Sequence, residues 1–216
     1  MTGLYQFSKR CLDIALSIVG LIVTAPLTLF IAVLIKFSDP GPIFYRQTRI
    51  GQFGGPFRIW KFRTMVVDAE RKGLSVTRDR DPRITPIGRI LRKSKLDELP
   101  QLINVLVGEM SFVGPRPEVP KYVQLYTPEQ RKILELKPGI TDLASIAFRN
   151  EEDLLAKADD VEEFYIRVCI PKKIQLNLDY ANRASLLGDI SIICQTLLAI
   201  ALSRNQLPPP AKPPGP

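Results

Sequence analysis

The segment Ile14–Ile35 reads IALSIVGLIVTAPLTLFIAVLI and carries no charged residue. As one helix it would be about 33 Å long, which is close to the thickness of a bilayer's hydrocarbon core. A cleaved signal sequence has a shorter apolar region and a small-residue cleavage site before a polar mature chain. Here the run ends at Lys36, followed by the turn-forming residues 38–42. The segment therefore predicts a retained membrane anchor.

Pro26 lies near the centre of this segment, where a proline removes a backbone donor and kinks a helix. Cationic residues flank both ends, and the positive-inside rule therefore puts both flanks in the cytoplasm. They are Lys9 and Arg10 before the segment and Lys36, Arg46, Arg49, Arg58, Lys61 and Arg63 after it. A re-entrant helix broken at Pro26 satisfies this rule, with Thr24 or a neighbouring carbonyl meeting the freed backbone groups. A full span is the alternative.

The composition of the 216-residue chain excludes several chemistries. There is no histidine, so Ser-His and Cys-His nucleophile pairs, histidine-ligated zinc and a histidine pH switch are all ruled out. Three cysteines without CxxC spacing indicate neither a disulfide framework nor a metal knuckle. The net charge of +8 indicates an anionic partner: nucleic acid, anionic lipid or a phosphorylated substrate.

Downstream of the anchor, the pattern predicts a β-hairpin and several helices. The hairpin strands are residues 43–47 and 57–62, around a glycine-bearing connection. Leucine and isoleucine at helical spacing predict an amphipathic helix over 96–107, ended by Gly108, and a capping box at Thr127 starts another. Further helices are expected over 151–158, 160–170 and 172–183, and the apolar stretch 186–202 is expected to lie on the membrane or on the domain.

Two carboxylates and several cations could carry chemistry. Asp97 and Glu98 open the predicted helix 96–107, just after Arg92 and Lys95, and the cations would keep an acid there ionised by lowering its pKa. Ordinary helix capping by acids at a helix N-terminus is the competing interpretation. Lys61 and Arg63 lie at the end of the second strand and just after it, on one side of the hairpin.

The sequence Gly114-Pro115-Arg116-Pro117-Glu118 fixes one arginine between two prolines. Proline restricts the backbone and so reduces the entropy lost when the guanidinium binds an oxyanion, an arrangement that suits phosphate. An ordinary surface turn with a solvated arginine is the alternative.

Taken together, these motifs resemble the bacterial sugar transferase family, the monotopic polyprenol-phosphate phosphoglycosyl transferases, in its short single-domain form. The resemblance covers Lys9 to about Leu202. It rests on Lys9-Arg10 with Asp13, Pro26, KFRTM at 61–65, DPRIT at 81–85, LRKSKLDELPQLINVLVGEMSFVGPRPE at 91–118, KPGIT at 137–141, and Tyr180, Ser185 and Asp189. The LDELPQL and FVGPRPE blocks at this separation carry most of its specificity.

The resemblance implies a mainly α fold with small β elements (α+β) in a monotopic membrane protein. Residues 1–39 would form the re-entrant anchor, 40–204 a cytosolic catalytic domain with interfacial amphipathic helices, and 205–216 a disordered proline-rich tail. The location implied is the cytoplasmic face of the bacterial inner membrane.

The resemblance also implies an activity: transfer of a phosphosugar from a nucleoside diphosphate sugar, typically a UDP-sugar, to polyprenol phosphate, with release of UMP. Asp97 would be the nucleophile and would approach Mg2+, Glu98 would assist, and Arg92 and Arg116 would hold phosphates. Lys61, Arg63, Pro115 and Pro117 complete the expected substrate site. Inner-membrane lipids and downstream glycosyltransferases of exopolysaccharide assembly are the further partners implied, nucleic acid is not, and a homodimer is left open.

Two alternatives remain at this point. A membrane-anchored binding protein without catalysis would explain the charge and the anchor, and a membrane-bound pyrophosphatase for lipid diphosphates would use similar carboxylates. The chain also departs from the family's usual sequence at Asp142–Phe148, which we expect to touch the nucleotide or sugar pocket and which leaves the sugar undefined.

Overall fold

In the computed structural model of the chain, residues 3–69, 81–149, 151–156, 158 and 160–201 are described. The predicted proline-rich tail 205–216 lies outside this part, as does most of the polar stretch after Asp68. The N-terminal segment forms one helix, α1, Gly3–Ser38. The most apolar part of this helix has a mean hydropathy of 2.7, and most of its residues are not buried against the rest of the protein. The predicted membrane-anchor helix is therefore present, and it is longer than the uncharged run.

Helix α1 continues through Pro26 as one element, so the predicted break does not interrupt the secondary structure. The backbone carbonyl deprived of its donor by Pro26 is that of Ile22, one turn earlier. Thr24 was expected to help satisfy the freed group, but its hydroxyl donates to the carbonyl of Gly20 at 2.7 Å. Such a side-chain bond to the preceding turn bends a helix without breaking it.

The remaining elements are mostly short helices with two small sheets, which confirms the mainly helical prediction. The strands are β1 Phe44–Ile50, β2 Pro56–Phe62, β3 Ser111–Val113 and β4 Gly139–Thr141. The helices are α2 Pro86–Lys93, α3 Gln101–Val107, α4 Pro120–Val123, α5 Pro128–Arg131, α6 Leu143–Ala147, α7 Glu151–Leu155, α8 Val161–Phe164, α9 Ile170–Asn182 and α10 Leu186–Ala201.

The predicted hairpin is confirmed: β1 and β2 pair antiparallel, with Tyr45 opposite Lys61. Asn104 of α3 extends this sheet with its side chain, since its Oδ1 accepts from the Trp60 amide at 2.9 Å and its Nδ2 donates to the Arg58 carbonyl at 3.0 Å. The amide thus replaces a neighbouring strand at the free edge of β2 and fixes the hairpin against α3.

Strands β3 and β4 form a parallel pair that the sequence analysis missed. After β3 the two backbone segments lie very close together. A Cβ on Gly114 would lie 2.2 Å from the Lys137 carbonyl oxygen, and one on Gly139 would lie 2.2 Å from the Gly114 nitrogen. Both positions therefore require glycine. This contact joins the GPRPE and KPGIT sequences at the start of the turn that carries Arg116.

The helices predicted over 160–170 and 172–183 form one helical run, because a π-helical segment, Tyr165–Cys169, joins α8 to α9. Pro171 follows this segment and lacks the amide that would bond to the Arg167 carbonyl. A π-bulge accommodates such a local loss of the α-helical hydrogen-bond pattern. The run packs its buried residues around Tyr165, Ile170 and Ile174.

The N-terminal part of α1 is fixed to the domain by charged side chains. Arg10 donates to the carbonyls of Val105 (2.6 Å) and Leu106 (2.8 Å) at the end of α3, where a cation favours the helix dipole. Asp13 is buried, and its Oδ1 accepts from the Ser111 hydroxyl and the Phe112 amide of β3.

A second set of contacts joins α1 to α10 through Asp189. Its carboxylate, buried within α10, accepts from Lys9 Nζ at 2.6 Å, from the Tyr5 hydroxyl at 2.9 Å and from the Tyr180 hydroxyl. Thus Lys9, Tyr180 and Asp189, which all belong to the family-like positions of the sequence, dock the first helix onto the last.

The far end of α1 contacts the same domain through apolar side chains. Ile31 and Ile35 are buried in a cluster with Phe62 of β2 and Leu91 of α2. The other face of α1 is apolar and exposed, including Ile22, Val23, Leu29, Phe30 and Phe37, and α10 exposes Leu187, Leu197 and Leu198. Such surfaces fit association with a membrane.

Candidate active site

The two carboxylates do not lie at the start of α3, as predicted, but in a separate 3-10 turn, Leu96–Glu98, that precedes it. Lys95 introduces the turn in a left-handed conformation, φ 58°. Pro100 then stands immediately before α3. Pro100 lacks an amide donor, which favours the start of a new helix over continuation of the old one. Capping of α3 therefore does not explain Asp97 and Glu98.

Glu98 is the centre of an ion-pair cluster. Lys61 Nζ of β2 donates to its Oε1 at 2.9 Å, and Arg116 donates from Nη1 to its Oε2 at 3.1 Å and from Nη2 to its Oε1. The arginine thus binds the carboxylate through both terminal nitrogens. The structure brings together three of the predicted site residues, which come from three separate parts of the chain.

The turn that carries Arg116 is held by its backbone. The Arg116 amide donates to Asp142 Oδ2 at 3.0 Å, and the Asn177 side chain donates to the same oxygen at 2.9 Å. The carbonyls of Pro115 and Pro117 accept from the Gly139 amide and from Arg49. Asp142, the first residue of the departure from the family pattern, therefore positions the arginine turn, and it also caps α6.

Glu118 and Arg49 form a second ion pair beside this turn, one that the sequence analysis did not identify. Glu118 Oε1 lies 3.4 Å from Arg49 Nη1, and its Oε2 accepts from the Tyr165 hydroxyl at 2.7 Å. Burial lowers the pKa of Arg49, and the nearby charge of Arg116 lowers it further, against the opposing effect of Glu118. The position of Glu118 in GPRPE was the only sequence signal for this pair.

Asp97 is buried, with 7% of its surface exposed, and its Oδ1 has no hydrogen-bond partner among the described residues. The expectation that nearby cations lower its pKa is wrong. Burial raises the pKa of Asp97, and the charge of Glu98 adds to the rise, against opposing effects of Lys61, Lys95 and Arg92. The loss of hydration therefore outweighs the cations, and Asp97 is a more basic carboxylate than an exposed aspartate.

Glu98 has the opposite character. Burial alone would raise the pKa of Glu98, but the charges and hydrogen bonds of Arg116 and Lys61 outweigh it and hold this pKa well below its usual value. The pKa values of these two adjacent carboxylates are thus shifted in opposite directions. Such a difference lets neighbouring acids take different chemical roles.

Arg92 and Arg63 differ in how they relate to this cluster. Arg92 acts electrostatically on Asp97 and bonds through Nε to Thr64 Oγ1 at 3.0 Å, with no hydrogen bond from its terminal nitrogens within the described residues. Arg63 is directed to the end of α1, where it pairs with Asp39 at 3.3 Å and donates to backbone carbonyls there. Its side chain therefore contacts the segment that follows the anchor helix, and no contact with Glu98 or Asp97 is seen among the described residues.

The side chains of this cluster can be compared with the ligands that magnesium usually binds. No group of three or more metal-ligating side chains occurs in the described part of the chain. Mg2+ characteristically binds one or two carboxylates together with waters and substrate phosphates. Asp97 has no ion-pair partner among the described residues and would suit one such ligand, whereas Glu98 is already neutralised by two cations. The residues present would therefore fit a magnesium ion whose other ligands were water and phosphate oxygens.

The fold and this carboxylate–arginine cluster define a membrane-associated sugar transferase: the bacterial sugar transferase family model matches residues 4–203, and the chain belongs to that family.

The curated relatives make the class more specific. Over 205 residues, the chain is 38% identical to UDP-glucose:undecaprenyl-phosphate glucose-1-phosphate transferase of Escherichia coli, an alignment that covers 91% of this chain and 41% of the relative. It is 38% identical over 213 residues to exopolysaccharide production protein ExoY of Sinorhizobium fredii, covering 92% and 87%. A putative undecaprenyl-phosphate N-acetylgalactosaminyl 1-phosphate transferase of Bacillus subtilis is 41% identical over 159 residues, covering 73% and 85%. The chain therefore spans less than half of the first relative and most of the other two.

Proposed function

We propose that the chain transfers a phosphosugar from a UDP-sugar to polyprenol phosphate in exopolysaccharide or other glycoconjugate assembly. The observation that carries this proposal is the pair formed by Asp97, a buried carboxylate with an unpartnered oxygen, and Glu98, which is bound by Lys61 and Arg116. The names of the relatives support a nucleotide-sugar donor and an undecaprenyl-phosphate acceptor.

The reaction proceeds in two displacements at the phosphorus that bears the sugar. In the first, an Asp97 oxygen forms a bond to this phosphorus and the bond to the bridging oxygen breaks, so that UMP leaves with the electron pair. In the second, an oxygen of polyprenol phosphate attacks the same phosphorus and frees the carboxylate. Splitting the transfer in this way lets the soluble donor and the lipid acceptor react in turn.

Burial suits Asp97 to the nucleophile role. A carboxylate with little hydration and a raised pKa is more basic, and it does not have to lose a water shell before it attacks. The adjacent Glu98 is the less basic of the two carboxylates in the free chain, because Lys61 and Arg116 hold its pKa well below its usual value.

Lys61 and Arg116 bind the donor's diphosphate in competition with Glu98. Both cations contact Glu98 in the free chain, so a diphosphate reaches them by taking the place of that carboxylate. Arg92, whose terminal nitrogens have no hydrogen-bond partner in the described part of the chain, is the third cation of this site. Together they stabilise the charge that develops on the leaving phosphate.

Magnesium is the cofactor we assign to this reaction. Asp97 would hold it, and the ion would neutralise phosphate charge as a Lewis acid.

The topology we assign is monotopic, on the cytoplasmic face of the inner membrane. Arg10 and Asp13 near one end of α1, and Ile31 and Ile35 near the other, contact the same domain. A helix that crossed the bilayer would put these two ends on opposite sides and would break one set of contacts. The contacts support a helix that enters one leaflet and returns, with Pro26 as its bend.

The test uses the purified full chain with Mg2+, a panel of UDP-sugars and polyprenol phosphate. We expect UMP release that depends on the lipid for continued turnover, together with a lipid-linked phosphosugar. A binding protein would release no UMP. A lipid pyrophosphatase would instead release inorganic phosphate from a polyprenyl diphosphate without any nucleotide sugar.

A further inference from the structure

Gln101 is the first residue of α3 and is fully buried, yet neither its Nε2 nor its Oε1 has a hydrogen-bond partner among the described residues. An uncharged amide gains nothing from burial unless its donors and acceptor are satisfied, because desolvation is costly. A leucine or methionine would fill the same space without that cost. Packing alone therefore does not account for a glutamine at this position.

Asp97 lies four residues before Gln101 and also has a buried polar atom without a hydrogen-bond partner among the described residues, in this case an acceptor. Leu99 and Pro100 between them have right-handed helical backbone angles, so the two side chains are about one turn apart. At this spacing a glutamine amide and an aspartate carboxylate are within reach of each other. Asp97 Oδ1 requires a donor and Gln101 Nε2 requires an acceptor, and both atoms are buried.

The cations near Asp97 contact other groups in the free chain, and the terminal nitrogens of Arg92 are assigned above to the donor's phosphates. Lys61 is hydrogen-bonded to Glu98, and Arg92 bonds to Thr64 through Nε. Asn104, the other fully buried amide of α3, is engaged by Trp60, Arg58 and Glu109. Gln101 is thus the uncommitted neutral donor closest in sequence to the nucleophile.

We propose that Gln101 is a positioning residue, which donates from Nε2 to Asp97 Oδ1 in the working enzyme and leaves Oδ2 to attack phosphorus. This inference rests on the proposed function, since it assigns Asp97 as the nucleophile. A donor at Oδ1 fixes the plane of the carboxylate, so that one lone pair is aimed at the substrate. It also stabilises the ionised carboxylate against the effect of burial.

The test compares Gln101→Met and Gln101→Glu in the full chain. Methionine keeps the length but has no polar group to desolvate, so we expect a melting temperature equal to or above that of the parent, together with a loss of kcat of about tenfold or more. The KM for the donor should change little, because Gln101 is assigned to contact the nucleophile and not the donor. Gln101→Glu keeps the shape but lacks the N–H, so its kcat should also fall.

Asn104→Leu is the matched control, because it removes a buried amide of the same helix that has three hydrogen-bond partners. It should lower the melting temperature. If Gln101→Met also lowered it by several degrees, the Gln101 amide would have a structural role and the inference would be wrong. An active parent whose two Gln101 variants kept its kcat would overturn it as well. A parent that released no UMP would instead contradict the proposed function.

Discussion

Arg116 binds Glu98 through both terminal guanidinium nitrogens, although the two residues lie on separate turns of the chain. With Lys61 on the same carboxylate, this pairing leaves Asp97, the neighbour of Glu98, as the acid that carries no hydrogen bond at Oδ1 within the described residues. The arrangement separates a neutralised carboxylate from a reactive one.

Asp97→Asn should abolish transfer while the fold remains intact. The amide keeps the shape of the side chain without its charge or nucleophilicity, so UMP release should fall by at least about a thousandfold. Because burial opposes the charge of Asp97, the melting temperature should not fall. Asp97→Glu should fail too, since the added methylene displaces the carboxylate by about 1 Å. Substantial turnover by the Asn variant would remove Asp97 from the nucleophile role.

Arg116→Lys should impair the enzyme by roughly 10- to 100-fold in kcat/KM even though the charge is kept. A lysine ammonium cannot reproduce a two-point contact with a carboxylate or with phosphate oxygens. UMP release at varied donor concentration measures the effect. Arg131→Lys, at an exposed arginine of α5, is the control and should behave like the parent. Kinetics of Arg116→Lys equal to those of the parent would indicate that Arg116 does not bind the donor and that this turn has only a structural role.

The pH dependence of turnover should report the raised pKa of Asp97. Its ionised form attacks, so activity should be lost as the pH falls through a value above the 3.8 of an ordinary aspartate. Lys95 is one of the cations that oppose this rise. Lys95→Asn, which suits the left-handed backbone there, should move the acidic limb up by about a few tenths of a unit. Lys93→Asn is the control, and an equal shift in both variants would contradict the assignment to Asp97.

Binding of the donor should be accompanied by proton uptake at acidic pH. In the free chain Arg116 and Lys61 hold the pKa of Glu98 well below its usual value, despite burial. When these cations turn to the diphosphate, the pKa of Glu98 rises and the group takes up a proton. Titration calorimetry of Asp97→Asn in buffers of different ionisation enthalpy measures this uptake. Adding Glu98→Gln should remove it, and uptake unchanged by that substitution would contradict the exchange of partners.

The membrane topology can be tested with single cysteines at the two exposed ends of α1, Gly3→Cys and Ser38→Cys. Cys11 and Cys194 are exposed and must be replaced, whereas the buried Cys169 can remain. Both introduced thiols should be shielded from an impermeant reagent in intact cells and should react together after lysis. Labelling of the Gly3→Cys chain in intact cells would defeat the monotopic arrangement and leave the assignment of Asp97 untouched.

Local patterns predicted the anchor helix and the hairpin, because each has a signal within a few residues. They also marked as candidates Lys61, Glu98 and Arg116, which the structure brings together. The parallel contact at Gly114 and Gly139 could not be predicted in this way, since strands of three residues carry no usable periodicity. The extension of α1 beyond the uncharged run, and the contacts of its N-terminal part, were also not predicted. Lys9 has its partner, Asp189, far away in the sequence.

The pKa of Asp97 was predicted in the wrong direction for a similar reason, because its main cause is tertiary structure. The cations that lower this pKa lie nearby in the sequence, at Arg92 and Lys95, and were visible there. The burial that outweighs them comes from tertiary packing around the 3-10 turn, which no local pattern encodes. The role of Asp142 in holding the Arg116 turn is a long-range contact of the same kind.

The covalent intermediate on Asp97 is tested most directly by mixing the full chain with Mg2+ and a UDP-sugar labelled in the phosphate next to the sugar, without any lipid acceptor. The account predicts a burst of UMP no larger than the amount of enzyme, and label that remains on the denatured chain at Asp97 and is discharged when polyprenol phosphate is added. An enzyme that turned over with the lipid present, but gave neither burst nor labelled protein in its absence, would contradict it.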